Sequence, residues 1–195
     1  MAGDWIITGG RPLQGREEVP AAKNSVLPLL AASLLCSGPV RLQNVPRLTD
    51  VEDCLALLRG VGCTAGWQGA ELVVQGQPMR TDLAPEAAGR MRASILFCAP
   101  LLARLGRVST VLPGGCRIGA RPIDLHLEAL RKLGAEIREE HGCLLCSAPG
   151  GLRGGFVSLA FPSVGATENL LLAAARAKGT TVLTNAAREP EIEDL

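Results

Sequence analysis

The residue types best suited to chemistry gather in one glycine-rich run: Leu112, Pro113, Gly114, Gly115, Cys116, Arg117, Ile118, Gly119, Ala120, Arg121 and Pro122. Three glycines around a single thiol let the backbone bend and approach a ligand closely. The guanidinium groups of Arg117 and Arg121 favour the thiolate of Cys116, which suits either acid catalysis or nucleophilic attack. No neighbouring His or Asp completes a hydrolase pattern, so these residues alone leave open a spare thiol on a flexible turn. A second group is cationic. Lys23 and Asn24 interrupt an apolar stretch where a helix should begin, and Arg92 holds the matching place in a later helix. Helix starts carry unpaired N–H groups and favour anions, so Lys23, Arg92 and Arg121 could converge on a phosphate; solvated helix ends are the other reading. Neither G-x-G-x-x-G nor G-x-x-x-x-G-K-[ST] occurs, which argues against dinucleotide and P-loop folds.

The elements that must position these residues recur as a unit: helix, Gly, strand, second helix, Gly, strand pair. In the first unit residues 23–35 have helical apolar spacing, Gly38 stops them, residues 40–45 form a strand, and residues 51–61 a helix ending on Gly62. A strand pair follows over 63–75. In the second unit the helix is 91–105, the stop Gly106, the strand 108–112, the second helix 123–133 with Gly134, and the strand pair 136–146. Corresponding glycines lie about 70 residues apart. The third unit repeats the helix over 166–178, with Gly179 and a strand over 181–184, and has only begun its second helix at residues 191–195. Such a short helix buries little. The expectation is therefore a chain truncated within its third unit, lacking roughly 35 residues by analogy with the earlier ones.

Composition sets the outer limits. In 195 residues, 47% are hydrophobic and 20% charged, and the net charge is +1, which fits a packed globular chain with an aliphatic core, since Tyr is absent. No run of like charges advertises a nucleic-acid or anionic-membrane surface. The start lacks the pattern of a secretory signal, and the longest apolar run, residues 25–36, contains Pro28 and is too short to span a bilayer. A soluble cytoplasmic protein is expected. Seven cysteines, odd in number and irregular in spacing, point to reduced thiols. Cys36, Cys54, Cys63 and Cys98 read as small core residues. Cys143 and Cys146 form a lone C-x-x-C beside His141, read as structural for want of a second pair.

Several motifs, in order, resemble the UDP-N-acetylglucosamine 1-carboxyvinyltransferase family, which performs the first committed step of peptidoglycan synthesis. They are Ala22, Lys23, Asn24; Met91, Arg92, Ala93, Ser94; the run from Pro113 through Cys116 to Pro122 with Asp124, Leu125, His126; Ser163, Val164, Gly165, Ala166, Thr167; and Asn185, Ala186, Ala187, Arg188, Glu189, Pro190, Glu191. The resemblance covers essentially this whole chain and about the first half of a family member. It implies an inverted α/β barrel of two similar domains, each built from three units, with the site in the cleft between them. Residues 1–22 would then join the second domain, and residues 23–195 would form the first, incomplete at its C-terminal end. By the same resemblance Lys23, Asn24 and Arg121 hold phosphoenolpyruvate, with Asn24 also orienting the sugar. Arg92, Arg121, Pro122, Ile123, Asp124, Leu125, Phe161, Pro162, Ser163 and Val164 contact UDP-N-acetylglucosamine. Cys116 becomes the general acid, and the thiol alkylated by epoxides of the fosfomycin type. Phe161 stands where the family often has a polar or basic residue. No metal or organic cofactor is implied. A catalytic carboxylate and a further arginine belong to the half not covered, so this chain alone is expected to be inactive. Two other readings are a 5-enolpyruvylshikimate-3-phosphate synthase-like transferase, which the Cys116 run argues against, and a non-catalytic nucleotide-sugar binding fragment.

Overall fold

The computed structural model describes residues 4, 6–12, 14–114 and 123–195. The first unit opens with α1 (Lys23–Ala32), which accommodates Pro28 and tightens into a 3₁₀ turn, Ser33–Leu35. It continues through β1 (Val40–Leu42), α2 (Thr49–Gly60), β2 (Thr64–Gln68) and β3 (Glu71–Gln75). A short helix that the periodicity did not signal, α3 (Pro85–Arg90), links to the second unit. There the chain runs as a 3₁₀ segment, Arg92–Phe97, and then α4 (Cys98–Leu105), β4 (Arg107–Val111), α5 (Asp124–Lys132), β5 (Glu136–Glu140) and β6 (Cys143–Ser147). The third part has β7 (Phe156–Ser158), α6 (Val164–Ala174), β8 (Val182–Thr184) and α7 (Pro190–Asp194).

The repeat expected from spacing is present in the strand order. The first sheet runs β1-β3-β2 and the second β4-β6-β5, all antiparallel, with the last strand of each unit in the middle. β7 and β8 pair in parallel. A parallel bridge from Asp82 to Ser109 on β4 repeats that relation at the second sheet. The expected second-unit helix, 91–105, is two-fifths 3₁₀: the six residues from Arg92 precede α4.

The helices occupy the middle and the sheets the outside. α6 is Ala/Leu-rich on nearly every face, as a helix buried all round must be, and packs on α4, α5, α1 and the 3₁₀ segment. α4, α2 and α5 in turn carry β4, β2 and β5 on their outer sides. The core is aliphatic, with Leu30, Leu57, Leu101 and Leu130 fully buried and Phe97 its one fully buried aromatic among the described residues. This is the inverted α/β barrel expected for enolpyruvyl transferases. Before Lys23, no described residue is in a strand, and Ile6 and Ile7 are 93% and 87% exposed.

Among the cysteines, Cys54, Cys63 and Cys98 are core residues as expected, but Cys36 is exposed, because the 3₁₀ turn ends just before it and swings it off the buried face. Cys143 and Cys146 sit three apart on β6, and alternation turns them to opposite faces, so they cannot converge on an ion. No group of three metal-ligating side chains exists among the described residues. No helix there is long and apolar enough to cross a membrane.

Candidate functional site

The starts of α1, the 3₁₀ segment and α6, together with the first turn of α5, meet around a cavity of about 330 Å³. Lys23, Asn24, Arg92, His126, Ser163 and Glu168 line it, with Asp50, Arg90 and Gly165 at its margin. Convergent helix starts direct N–H groups and the positive ends of helix dipoles at the same space. The first turn of α1 has no acidic residue and no side-chain cap. At α6 the Ser163 hydroxyl accepts from the Ala166 N–H at 3.4 Å, which fixes where that helix begins.

One wall is charged. Lys23 is ion-paired with Asp50 from the first turn of α2. One turn further along, Asp53 is 6% exposed and accepts from Arg90 Nε at 3.0 Å and Nη2 at 2.6 Å. That carboxylate holds the Arg90 guanidinium still more firmly protonated. A buried carboxylate needs such a partner, so α2 positions both cations while keeping its own charges satisfied. The thiol of Cys54, beneath this wall, is pushed up by burial and then by Asp50 and Asp53.

The other wall is buried. His126 is 5% exposed, and burial, helped by the Arg92 guanidinium, brings its imidazole down to about 4. Its Nδ1 lies 3.3 Å from Asn169 Nδ2. A Cβ on Gly165 would come within 2.9 Å of His126 Cε1, so only glycine lets α6 approach the ring this closely. Glu168, also 5% exposed, is pushed up to about 7 by burial, then by Glu191 and Glu189.

Of the sequence-derived site residues, the structure brings Lys23, Asn24, Arg92 and Ser163 together at this cavity. Val164 opens α6 and lines a smaller adjoining recess with Asn24. Pro162 faces a separate depression formed with residues 183–189. Phe161 is 65% exposed and does not line the cavity. Ile123 and Leu125 pack half-buried against the core beside exposed Asp124, and α5 turns His126 inward instead. Cys116, Arg121 and Pro122 lie outside the described residues. The stem on their N-terminal side does not: Gly114 rests against the carbonyl of Gly89, so closely that any side chain there would collide. That places the stem next to Arg90. The polar, charged and glycine residues lining the cavity that sequence reasoning gave no role are Asp50, Arg90, His126, Gly165 and Glu168, of which His126 and Gly165 stood only within quoted motifs. Glu168 left a trace, as the single acid in an Ala/Leu-rich helix.

The family model described as EPSP synthase (3-phosphoshikimate 1-carboxyvinyltransferase) matches residues 7–195, and the chain belongs to that family of enolpyruvyl transferases. Solved structures share the fold. The enolpyruvyl transferase NikO from Streptomyces tendae superposes with a TM-score of 0.80 at 24% identity, over 95% of this chain and 44% of that one. An EPSP synthase from Acinetobacter baumannii gives 0.72 at 20% identity, over 92% and 42%. Curated relatives point to one branch. The UDP-N-acetylglucosamine 1-carboxyvinyltransferase of Endomicrobium trichonymphae is 49% identical over 191 residues, covering 97% of this chain and 46% of the relative. That of Gluconobacter oxydans is 50% identical over 192 residues, covering 98% and 46%. The chain thus spans about half the length of the curated relatives it matches.

Proposed function

We propose that this chain supplies the first domain of an enzyme that transfers the enolpyruvyl group of phosphoenolpyruvate to the 3-hydroxyl of UDP-N-acetylglucosamine, releasing phosphate. One observation carries the reading: Lys23 and Asn24 at one helix start, Arg92 at the equivalent start of the next unit and Ser163 at the third open onto one cavity. Three-fold use of a helix terminus is a device for holding anionic oxygens. Identity of 49% and 50% to two UDP-N-acetylglucosamine 1-carboxyvinyltransferases supports the sugar nucleotide as acceptor.

In this reading Lys23, Asn24 and Arg121 hold the carboxylate and phosphate of phosphoenolpyruvate. Cys116 protonates its C3, C2 becomes electrophilic, and the sugar hydroxyl adds there. Loss of phosphate from C2 together with a proton from C3 of the tetrahedral adduct restores the enol ether. Cations must neutralise the phosphate without reacting, which Lys and Arg do. Arg92, Ser163 and Val164, with the run Arg121, Pro122, Ile123, Asp124 and Leu125, frame UDP-N-acetylglucosamine; Phe161 and Pro162, off the cavity, contribute at its rim. Addition and elimination balance without a metal or organic cofactor. Residues 1–22 pair with a second domain that completes the cleft, and the enzyme works in the cytoplasm, where its substrates are made.

The test is phosphate release from phosphoenolpyruvate by the complete gene product. Release is expected with UDP-N-acetylglucosamine and not with shikimate 3-phosphate, and Cys116→Ser should abolish both turnover and labelling by fosfomycin. Release with shikimate 3-phosphate alone would overturn the reading.

A further inference from the structure

His126 is held by one face of α6. Gly165 and Asn169 are four residues apart, so they stand one above the other on the side of the helix turned to α5. Gly165 lies against the Cε1–Nε2 edge of the ring, where a Cβ would be 2.9 Å from Cε1 and 3.2 Å from Nε2. Asn169, with no exposed surface, reaches Nδ1 with its amide nitrogen at 3.3 Å. The Oδ1 of the same amide is buried with no partner among the described residues. Nδ1 is therefore spoken for, while Nε2 has no hydrogen-bond partner among the described residues, and both His126 and Gly165 line the cavity.

We propose that Asn169 is a positioning residue: its Nδ2–H donates to His126 Nδ1, which fixes the ring proton on Nε2 and offers an uncharged N–H donor to an anionic phosphate oxygen in the cavity. The choice of ligand class rests on the proposed function; the tautomer does not. A neutral imidazole accepts at one nitrogen only when it donates from the other, so the bond at Nδ1 decides what Nε2 can do. A buried amide four residues beyond the glycine thus sets the chemistry of a side chain on another helix. Because the donor is neutral, its strength does not depend on protonating the ring, and it adds a directed contact beside Arg92 without adding charge.

With two histidines in the chain, His126 and His141, ring nitrogens can be assigned directly in a 15N-histidine-labelled sample. Long-range proton–nitrogen correlation near neutral pH is expected to show His126 with a bare Nδ1 and a protonated Nε2. A proton on Nδ1 in the wild-type chain would overturn the proposal. Asn169→Leu, with the same number of side-chain heavy atoms and unable to donate, should lose the single-tautomer signature while thermal unfolding reports a folded chain; an unchanged signature refutes the positioning role. Should that variant not fold, Asn169→Asp is the second test, since a carboxylate can only accept and should put a proton on Nδ1, and an Nδ1 that stays bare refutes the role. Titration with inorganic phosphate should move the His126 Nε2–H resonance, and apparent phosphate affinity should drop about ten-fold or more in the folded variant. A resonance unmoved by both phosphate and UDP-N-acetylglucosamine would remove the donor role. Movement with phosphate but not with the sugar nucleotide would leave this inference standing and remove the substrate assignment instead.

Discussion

The two walls of the cavity solve opposite problems. On the α2 side, Lys23 and Arg90 are half-exposed and each is matched by a carboxylate, so the charge is available yet neutralised. On the α5–α6 side, His126, Asn169 and Glu168 are buried, and their state is set by desolvation and packing. On the first wall Lys23 can exchange the Asp50 carboxylate for a phosphate at small cost, because exposed ion pairs are weak, while buried Asp53 keeps Arg90 in place. The second cannot rearrange cheaply and so fixes orientation. Attraction and alignment are separated across the same space.

The sharpest way to expose the buried wall is its response to pH. The His126 imidazole is lowered to about 4, so its contribution to stability is present above its unfolded value near 6.5 and is lost as pH falls towards 4. The Glu168 carboxyl is raised to about 7, so its contribution is present below its unfolded value near 4.5 and is lost as pH rises through 7. Both act across the same window with opposite sign, and each amounts to about 3 kcal/mol at most. In urea unfolding series between pH 4 and 7.5, Glu168→Gln should steepen the rise of stability with pH relative to wild type, and His126→Gln should turn it towards a fall. Parallel curves for all three chains would contradict the buried character of this wall.

Next in size is Gly165→Ala. In an ordinary helix this exchange gains up to about 1 kcal/mol. Here the added methyl meets the His126 ring, and overpacking costs about 1–3 kcal/mol. A net loss on urea unfolding is expected, whereas a gain would show that the contact relaxes freely. The smallest effect belongs to the charged wall. Asp50→Asn should change stability by less than about 1 kcal/mol, while raising affinity for inorganic phosphate because Lys23 no longer has a competing anion. A larger stability loss would make the two walls alike.

Much of the fold was legible because the repeat is written in glycines that structure requires: Gly62, Gly106, Gly134 and Gly179 all adopt positive φ where spacing placed helix stops. α3 was not, since six residues with a proline start carry no periodic pattern. Nor was the 3₁₀ geometry after Met91, because the same buried positions satisfy either helix. The cationic residues of the site stood out as polar interruptions in apolar runs. Asp50 and Asp53 did not, being ordinary acids near the start of an amphipathic helix. Asn169 was hidden for a different reason: its role exists only through His126, 43 residues away in sequence.

The 3₁₀ stretch from Arg92 acts as a longer ruler than its counterpart in α1. Six residues advance about 12 Å at 3₁₀ pitch against about 9 Å as α-helix. The first unit has a 3₁₀ turn of its own, Ser33–Leu35, so the helical path of the second, with three more such residues, gains roughly 1.5 Å over it on the same rise per residue. Duplicated frames thereby acquire arms of unequal length, which is what gripping an asymmetric molecule with a symmetric scaffold demands.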